Sequence, residues 1–237
     1  MSESSKRKSR GLFLNQPQAQ CSIYESGMMV FRALQLSELF DLEYFELTQE
    51  SAGRIPPADF YLFNYHHATL PWLNTAQVRS LPGKVMTVIL EVLPGNPFVY
   101  VSPDHFDAYI VLDPTIKHTN PAVYAFPRPL EATKEALPYQ ERERPWIGTF
   151  GFSTPGKGFE LVVDAVNREF ESALVRINIP VGTFWDGSDA EAHKQKSADY
   201  ITRLCERVAK PGIEVQVTRD FLSKEQLIDW CGQNTLN

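Results

Sequence analysis

The sequence predicts an α/β fold with two series of parallel strands. Short apolar runs typical of buried strands alternate with amphipathic stretches typical of helices, the pattern of mostly parallel sheets. This pattern occurs twice, before and after a charged segment at residues 131–144. The chain has 237 residues, of which 43% are apolar and 22% charged, a globular composition with room for two domains. We therefore expect two Rossmann-like βαβ domains, over residues 11–130 and 145–237, joined by a linker at 131–144.

The first series follows a polar tail at residues 1–10, which we expect to be flexible. Its apolar runs predict strands at residues 12–14, 42–47, 59–63, 85–90, 106–112 and 123–126. Between the first two runs, Val30, Phe31 and Leu34 follow helical spacing, and Ser26 is a candidate cap for that helix. Residues 75–79 predict at most a short helix.

The second series has longer and clearer helices. Strands are predicted at residues 146–150, 174–179 and 213–217, and helices at 159–170 and 189–210. Ser223 and Gln226 have the spacing of a capping box, which predicts that a last helix begins there.

Composition excludes several functional classes. The net charge is −6, and four basic groups against one acidic group lie in residues 1–10, so the body of the chain is more acidic still. Such a body argues against a nucleic-acid partner. Apolar runs are too short for a membrane span, and the N-terminus lacks the apolar stretch of a signal peptide. The three cysteines are widely spaced, which fits a reducing cytoplasm and indicates neither disulfides nor a metal cluster.

Candidate site residues are those just after the predicted strands, because ligands of open α/β sheets bind beyond the carboxyl ends of the strands. His66 and His67 follow one strand of the first series and Glu91 follows the next. The pattern slightly favours polar loop groups with backbone partners over catalytic histidines. Neighbours on a strand would point to opposite faces, which makes a poor metal pair unless the loop turns. Asp113 and Pro114 are more typical of a turn than of a site.

The loop at residues 151–158 is the sharpest candidate in the second series. Gly151, Gly156 and Gly158 allow close approach of a ligand to the backbone, and the loop opens a helix whose first amides favour anions. Lys157 adds a full positive charge beside those amides. The combination suits a diphosphate, although a glycine-rich turn with an exposed lysine would have the same sequence.

The same loop matches the start of an ATP-binding Walker A motif, G-x-x-x-x-G-K. The next residue of that motif is Ser or Thr, which holds magnesium, whereas this chain has Gly158. This mismatch disfavours an ATPase.

Residues 145–237 resemble the opening of the second domain of GT-B glycosyltransferases, specifically the large retaining nucleotide-sugar-dependent group (family 1/4-like). The family pattern is a strand, Gly-Arg, four residues, Lys-Gly and an amphipathic helix, and Gly151, Lys157 and Gly158 fall at matching positions. Residues 221–230 resemble the helix that precedes the family's donor site. Over residues 11–130 the resemblance rests on architecture.

The resemblance implies a transferase that moves a sugar from a nucleoside-diphosphate donor to an unknown acceptor, with no cofactor and no metal. Gly151, Lys157 and Gly158 would bind the donor diphosphate, while His66 or Glu91 would act on the acceptor hydroxyl as base or hydrogen-bond acceptor. In the family an arginine joins the lysine on the diphosphate, and Phe152 stands at that position here. A GT-B-like module that binds sugar or nucleotide without catalysis is the alternative.

The resemblance also implies further donor-binding elements after the last helix, including a segment with two glutamates. The sequence ends at Asn237, before that segment. We therefore expect an incomplete second domain, and little or no transferase activity from this chain alone.

Overall fold

The computed structural model divides the chain into two compact units, Met1–Ala132 and Thr133–Asn237. It describes residues 7–17, 21–90, 92–93, 96–130, 140–153, 156–180 and 190–237, with the side chains of residues 190–194 excepted. Most of the predicted linker, residues 131–139, lies outside the described residues.

The first unit is built on a six-stranded parallel sheet. Its strands are β1 (Ser9–Asn15), β2 (Phe40–Glu46), β3 (Phe60–Asn64), β4 (Lys84–Ile89), β5 (Ala108–Val111) and β6 (Val123–Ala125). They are accompanied by the helices α1 (Ser22–Gln35) and α2 (Thr75–Arg79) and by a 3₁₀ turn at Ala52–Arg54.

The strand order is β2-β1-β3-β4-β5-β6, and every neighbouring pair is parallel. The chain moves from β1 outward to β2 and then returns to the other side of β1 to form β3. The direction of winding therefore reverses between β1 and β3, and open parallel sheets bind ligands at the carboxyl end of such a reversal.

Both faces of this sheet are buried. Leu12 and Leu14 of β1 belong to one apolar cluster, whereas Phe13 between them belongs to a second cluster with Val30 and Phe31 of α1. Successive strand side chains point to opposite faces, so a continuous apolar run is what a doubly covered strand requires.

The start of α1 differs from the prediction that Ser26 caps it. The helix begins at Ser22 after Cys21, and no side chain caps its first turn. Ser26 lies inside the helix and is buried against the sheet. The next residue, Gly27, lies where a Cβ would come within 2.2 Å of Nδ2 of Asn64, so helix and sheet approach closely there.

The second unit has a three-stranded parallel sheet in the order β7-β8-β9. The elements are β7 (Trp146–Phe150), α3 (Phe159–Glu169), β8 (Ala173–Asn178), α4 (Ala190–Val208), β9 (Ile213–Thr218) and α5 (Lys224–Gly232). The predicted capping box is confirmed, because Ser223 accepts from the amide of Gln226 and Gln226 accepts from the amide of Ser223.

One apolar cluster forms the core of this unit. Phe159, Val163 and Val166 of α3 pack with Val175 and other residues of the sheet. The predicted α/β class with parallel sheets is thus confirmed.

The last residues of the chain run beside β7. Leu236 forms a parallel bridge with Ile147, and its carbonyl accepts a hydrogen bond of 2.8 Å from the amide of Gly148. Arg176 of β8 holds Asn234 in place by donating to its Oδ1 at 2.7 Å. The guanidinium of Arg176 also lies over the rings of Trp146 and Trp230.

Candidate functional site

The loop between β7 and α3 contains three glycines in backbone conformations that other residues rarely adopt. The φ angles are +150° at Gly151, +81° at Gly156 and +73° at Gly158. At Gly151 an added Cβ would meet, of the residues that the structure describes, only Phe159, at 3.7 Å. Its φ angle, and not lack of space, therefore explains the glycine there.

Gly158 is the N-cap residue of α3, immediately before Phe159. It occupies the left-handed region and has no side chain with which to cap the first helical amides. The first turn of a helix presents amides without helical partners and a positive dipole end. The exposed Lys157 immediately precedes this turn in the sequence, so the loop has a positive charge next to the residue that caps α3.

A buried asparagine fixes the neighbouring backbone. Asn178, at the end of β8, accepts from the amide of Gly151 through its carbonyl at 3.1 Å. Its side-chain Oδ1 accepts from the hydroxyl of Thr218 and the amide of Asp220, and its Nδ2 donates to the carbonyl of Asp220. One residue thus connects the loops that come after all three strands of the second sheet.

Phe152 also lies at this edge. Its ring centroid is 6.5 Å from that of Phe221, which comes after β9. An aromatic contact therefore exists at the position where the family pattern has an arginine.

In the first unit, two buried asparagines mark the reversal between β1 and β3. Nδ2 of Asn64 donates to Oδ1 of Asn15 and to the carbonyl of Ile23 in α1, each at 2.8 Å. Nδ2 of Asn15 donates to the carbonyl of Tyr24 at 3.3 Å. These bonds tie the first turns of α1 to the carboxyl ends of two strands.

Tyr44 lies beside these asparagines. Its burial, with smaller contributions from Tyr24 and Glu46, raises the pKa of the Tyr44 phenol to about 12. This phenol therefore remains protonated at neutral pH and serves as a hydrogen-bonding group, not as an anion.

The two predicted histidines lie in a turn after β3. The carbonyl of His66 accepts from the amides of Thr69 and Leu70, and Nδ1 of His66 accepts from the amide of Ala68. Because the chain turns there, the rings of His66 and His67 lie together with centroids 4.5 Å apart. His66 is buried, with 8% of its surface exposed.

The His67 ring stacks in turn on Tyr100. Their centroids are 4.9 Å apart and the ring planes differ by 14°. His66, His67 and Tyr100 thus form a series of rings from the end of β3 to the loop before β5.

Tyr100 also lines a cleft of about 460 Å³ at the carboxyl ends of β4 and β5. This volume falls within the range of small-molecule sites, about 300–1,000 Å³. The other described lining residues are Leu90, Val92, Leu93, Leu112, Asp113, Pro114 and Arg128. His66 is not among the described lining residues, and the predicted catalytic residue Glu91 lies outside the described part of the chain.

Asp113 has two structural roles at this cleft. Its carbonyl accepts from the amide of Ile116, so the predicted turn is confirmed. Its Oδ1 accepts from the hydroxyl and the amide of Thr115, which lowers the pKa of the carboxyl below its usual value. Asp113, with its carboxyl held ionised, and Arg128 thus both line the cleft.

The sequence alone did not single out Asn178, Tyr100 or Arg128. Asn178 lies at the end of an apolar run, which is the signal that could have identified it. Tyr100 lies in the loop before β5 and Arg128 in the segment after β6, outside any recognisable spacing. The order β4-β5-β6 brings them to one cleft.

Among the residues that the structure describes, no group of three or more His, Cys, Asp or Glu side chains could hold a metal ion. Within the same ranges, no helix has the length and apolar character that crossing a membrane requires.

Comparison with known proteins assigns neither a family nor a function to the chain. No family model matches the chain, and no curated protein matches it. Function is therefore inferred from the two sites and from the sequence resemblance.

Proposed function

We propose that the second unit binds the diphosphate of a nucleotide sugar, and that the chain is a GT-B-like glycosyltransferase polypeptide. In this proposal Lys157 and the first amides of α3 hold the phosphates, while Gly151 and Gly158 let the ligand approach the backbone. The first unit receives the acceptor.

One observation carries the proposal: α3 starts at a left-handed glycine without a side-chain cap, directly after the exposed Lys157. A capping Ser or Asp would occupy the amides that an anion needs. Glycine leaves them to a ligand, and the neighbouring ammonium adds a charge-assisted contact.

Glycosyl transfer needs this kind of support. The transition state resembles an oxocarbenium ion, and negative charge builds up on the departing nucleoside diphosphate. Lys157 and the helix amides would stabilise that charge. On the acceptor side, His66 and Glu91 are the proposed groups that orient or deprotonate the hydroxyl.

A non-catalytic sugar- or nucleotide-binding module is the second candidate, and Phe152 favours it. With Phe152 in place of an arginine, one of the family's two cations is missing. Weaker stabilisation of the leaving diphosphate would permit binding while reducing transfer.

Calorimetric titration with UDP, GDP and ADP tests the donor site. We expect at least one of them to bind, and Lys157→Met to weaken it about tenfold or more, since hydrogen bonds to charged groups contribute about 1.5–3 kcal/mol. Lys117→Met, an exposed lysine of the first unit, is the matched control and should leave the affinity unchanged.

Absence of binding to all three nucleotides, or binding that Lys157→Met leaves unchanged, contradicts the proposal. Incubation with the corresponding nucleotide sugar then separates the two candidates. Release of the nucleoside diphosphate supports a transferase, whereas binding without release supports the module.

A further inference from the structure

The cleft of the first unit combines an apolar wall with two opposite charges. Leu90, Leu112 and Pro114 contribute apolar surface, and Asp113 and Arg128 contribute the charges. All of these residues belong to one unit, so the cleft can be considered by itself.

Both charged groups are held in place. Nη2 of Arg128 donates to the carbonyl of Leu90 at 3.2 Å, and Oδ1 of Asp113 accepts twice from Thr115. Among the ion pairs of the described residues, none joins Asp113 to Arg128. The cleft therefore offers a separate acceptor and a separate donor to a ligand.

This combination selects the charge of the ligand. An anion would be attracted by Arg128 and repelled by Asp113. A cation would be attracted by Asp113 and repelled by Arg128. A hydrocarbon would remove water from both groups without replacing their hydrogen bonds, which is costly. A neutral ligand with hydroxyl groups can donate to Asp113 and accept from Arg128 at once.

Tyr100 provides the remaining feature. The His67 ring supports it in a nearly parallel stack, and 36% of the tyrosine surface remains exposed. The face of an aromatic ring is electron-rich and attracts the C–H groups of an apolar surface. A pyranose ring has C–H groups on its faces and hydroxyl groups on its edge.

We propose that this cleft binds a neutral pyranose, with the sugar face on Tyr100 and hydroxyl groups on Asp113 and Arg128. This inference rests on the proposed function, since it identifies the acceptor of the transfer as a sugar or a glycoside. It gives His67 a positioning role, because the histidine ring holds the tyrosine that the sugar contacts.

Saturation-transfer NMR with the methyl pyranosides of glucose, galactose and mannose tests the proposal on the full chain. We expect at least one glycoside to bind, with the strongest transfer to ring C–H protons. Asp113→Asn and Arg128→Gln should each weaken binding about tenfold, and Tyr100→Leu should weaken it about threefold or more.

Matched substitutions outside the cleft serve as controls. Asp41→Asn and Arg54→Gln alter exposed members of surface ion pairs, and Tyr124→Leu alters a tyrosine that is 50% exposed on β6. We expect all three to bind the glycoside as the parent chain does. Thermal melts check that every variant is folded. If Asp113→Asn disturbs its turn, Tyr100→Phe provides the second test: it keeps the ring and should retain binding, whereas Tyr100→Leu should not.

Several outcomes overturn the inference. They are no binding of any of the three glycosides, binding that the cleft variants leave unchanged, and preferential occupation of the cleft by inorganic phosphate or hexanol. The donor site is tested separately with Lys157→Met. Glycoside binding without nucleotide binding would overturn the proposed transferase alone, and nucleotide binding without glycoside binding would overturn the cleft proposal alone.

Discussion

The two units share a parallel sheet but differ in the segments that connect their strands. In the second unit the crossovers contain the long helices α3 and α4, and the loop before α3 is rich in glycine. In the first unit, the described residues between β4 and β6 contain no helix. The loops there instead bring Tyr100 and Asp113 to the carboxyl edge, and Arg128 joins them from the segment after β6.

The two kinds of connecting segment are suited to two kinds of ligand recognition. A glycine loop at a helix start recognises an anion mainly through backbone amides. Irregular loops recognise a neutral ligand through side chains placed by the sheet beneath them. In our two proposals, each unit uses the same edge of a parallel sheet for a different ligand chemistry.

The buried asparagines provide the sharpest contrast between the units. Among the described residues, the side chain of Asn178 makes three hydrogen bonds and that of Asn64 makes two, and Oδ1 of Asn64 is buried without a partner. We expect Asn178→Ala to lower the free energy of unfolding by about 2–4 kcal/mol and Asn64→Ala by about 1–3 kcal/mol. Chemical denaturation measures both.

Nucleotide titration extends that comparison. Asn178→Ala should weaken the binding of a nucleoside diphosphate, because it removes the side-chain hydrogen bonds that join the end of β8, on which the Gly151 amide rests, to Thr218 and Asp220. Asn64→Ala should leave that binding unchanged. Equal effects of the two substitutions on nucleotide affinity would contradict the separation of the two sites.

Each unit also has a glycine in its first strand. A Cβ at Gly148 would lie 2.0 Å from Nδ2 of Asn234, and a Cβ at Gly11 would lie 2.1 Å from the ring of Phe60. Asn234 is buried and held by Arg176, whereas Phe60 is only partly buried. We therefore expect Gly148→Ala to be the more destabilising, by about 1–3 kcal/mol. Gly53→Ala, which meets no atom within 4 Å, is the control for thermal melts.

Acid should affect the first unit through Asp107. Burial raises the pKa of this carboxyl, but hydrogen bonds from the amide of Val85 and the guanidinium of Arg79 outweigh burial, so the pKa lies below its usual value. The ionised form therefore stabilises the fold above about pH 4. This stabilisation is lost as the pH falls through the pKa of the folded state.

We expect Asp107→Asn to lower Tm at pH 7 and to make Tm fall less steeply between about pH 5 and 3. Asp199 of the second unit, whose pKa is lowered by its hydrogen bond from Arg219, belongs to an ion pair of similar exposure. Asp107 also accepts from the backbone amide of Val85, whereas the described hydrogen bonds of Asp199 come from the side chains of Arg219 and Gln195. Asp199→Asn should therefore change the pH dependence less. A larger effect from Asp199→Asn would contradict this expectation.

The smallest expected effect concerns Glu160, which lies in the first turn of α3. Its negative charge opposes a second anion at the same helix end. Glu160→Gln should therefore strengthen nucleoside-diphosphate binding about twofold to fourfold at low salt. Glu169→Gln, at the other end of α3, should leave the nucleoside-diphosphate affinity unchanged. Calorimetric titration of both variants measures the two affinities.

Much of the fold was predictable because burial on two faces leaves a clear sequence pattern. The apolar run at residues 85–90 predicted β4 to within one residue at each end. The strand predicted at residues 106–112 is shorter, Ala108–Val111, because the amide of Phe106 donates to the hydroxyl of Tyr109 and so joins a loop.

The candidate sites were predictable only where local sequence determines them. The loop around Lys157 is contiguous, so its residues could be read along the chain. The cleft depends instead on which strands are neighbours, and neither the spacing of Tyr100 nor that of Arg128 contains that information. His66 and His67 were expected to point apart, and they lie together because the strand ends before them.

The amide of Gly148 has a further use, as an internal reporter. It donates to the carbonyl of Leu236 at the outer edge of β7. Its rate of hydrogen–deuterium exchange therefore measures how often the last residues leave that edge. A single backbone signal would track the opening of this edge in any variant of the second unit.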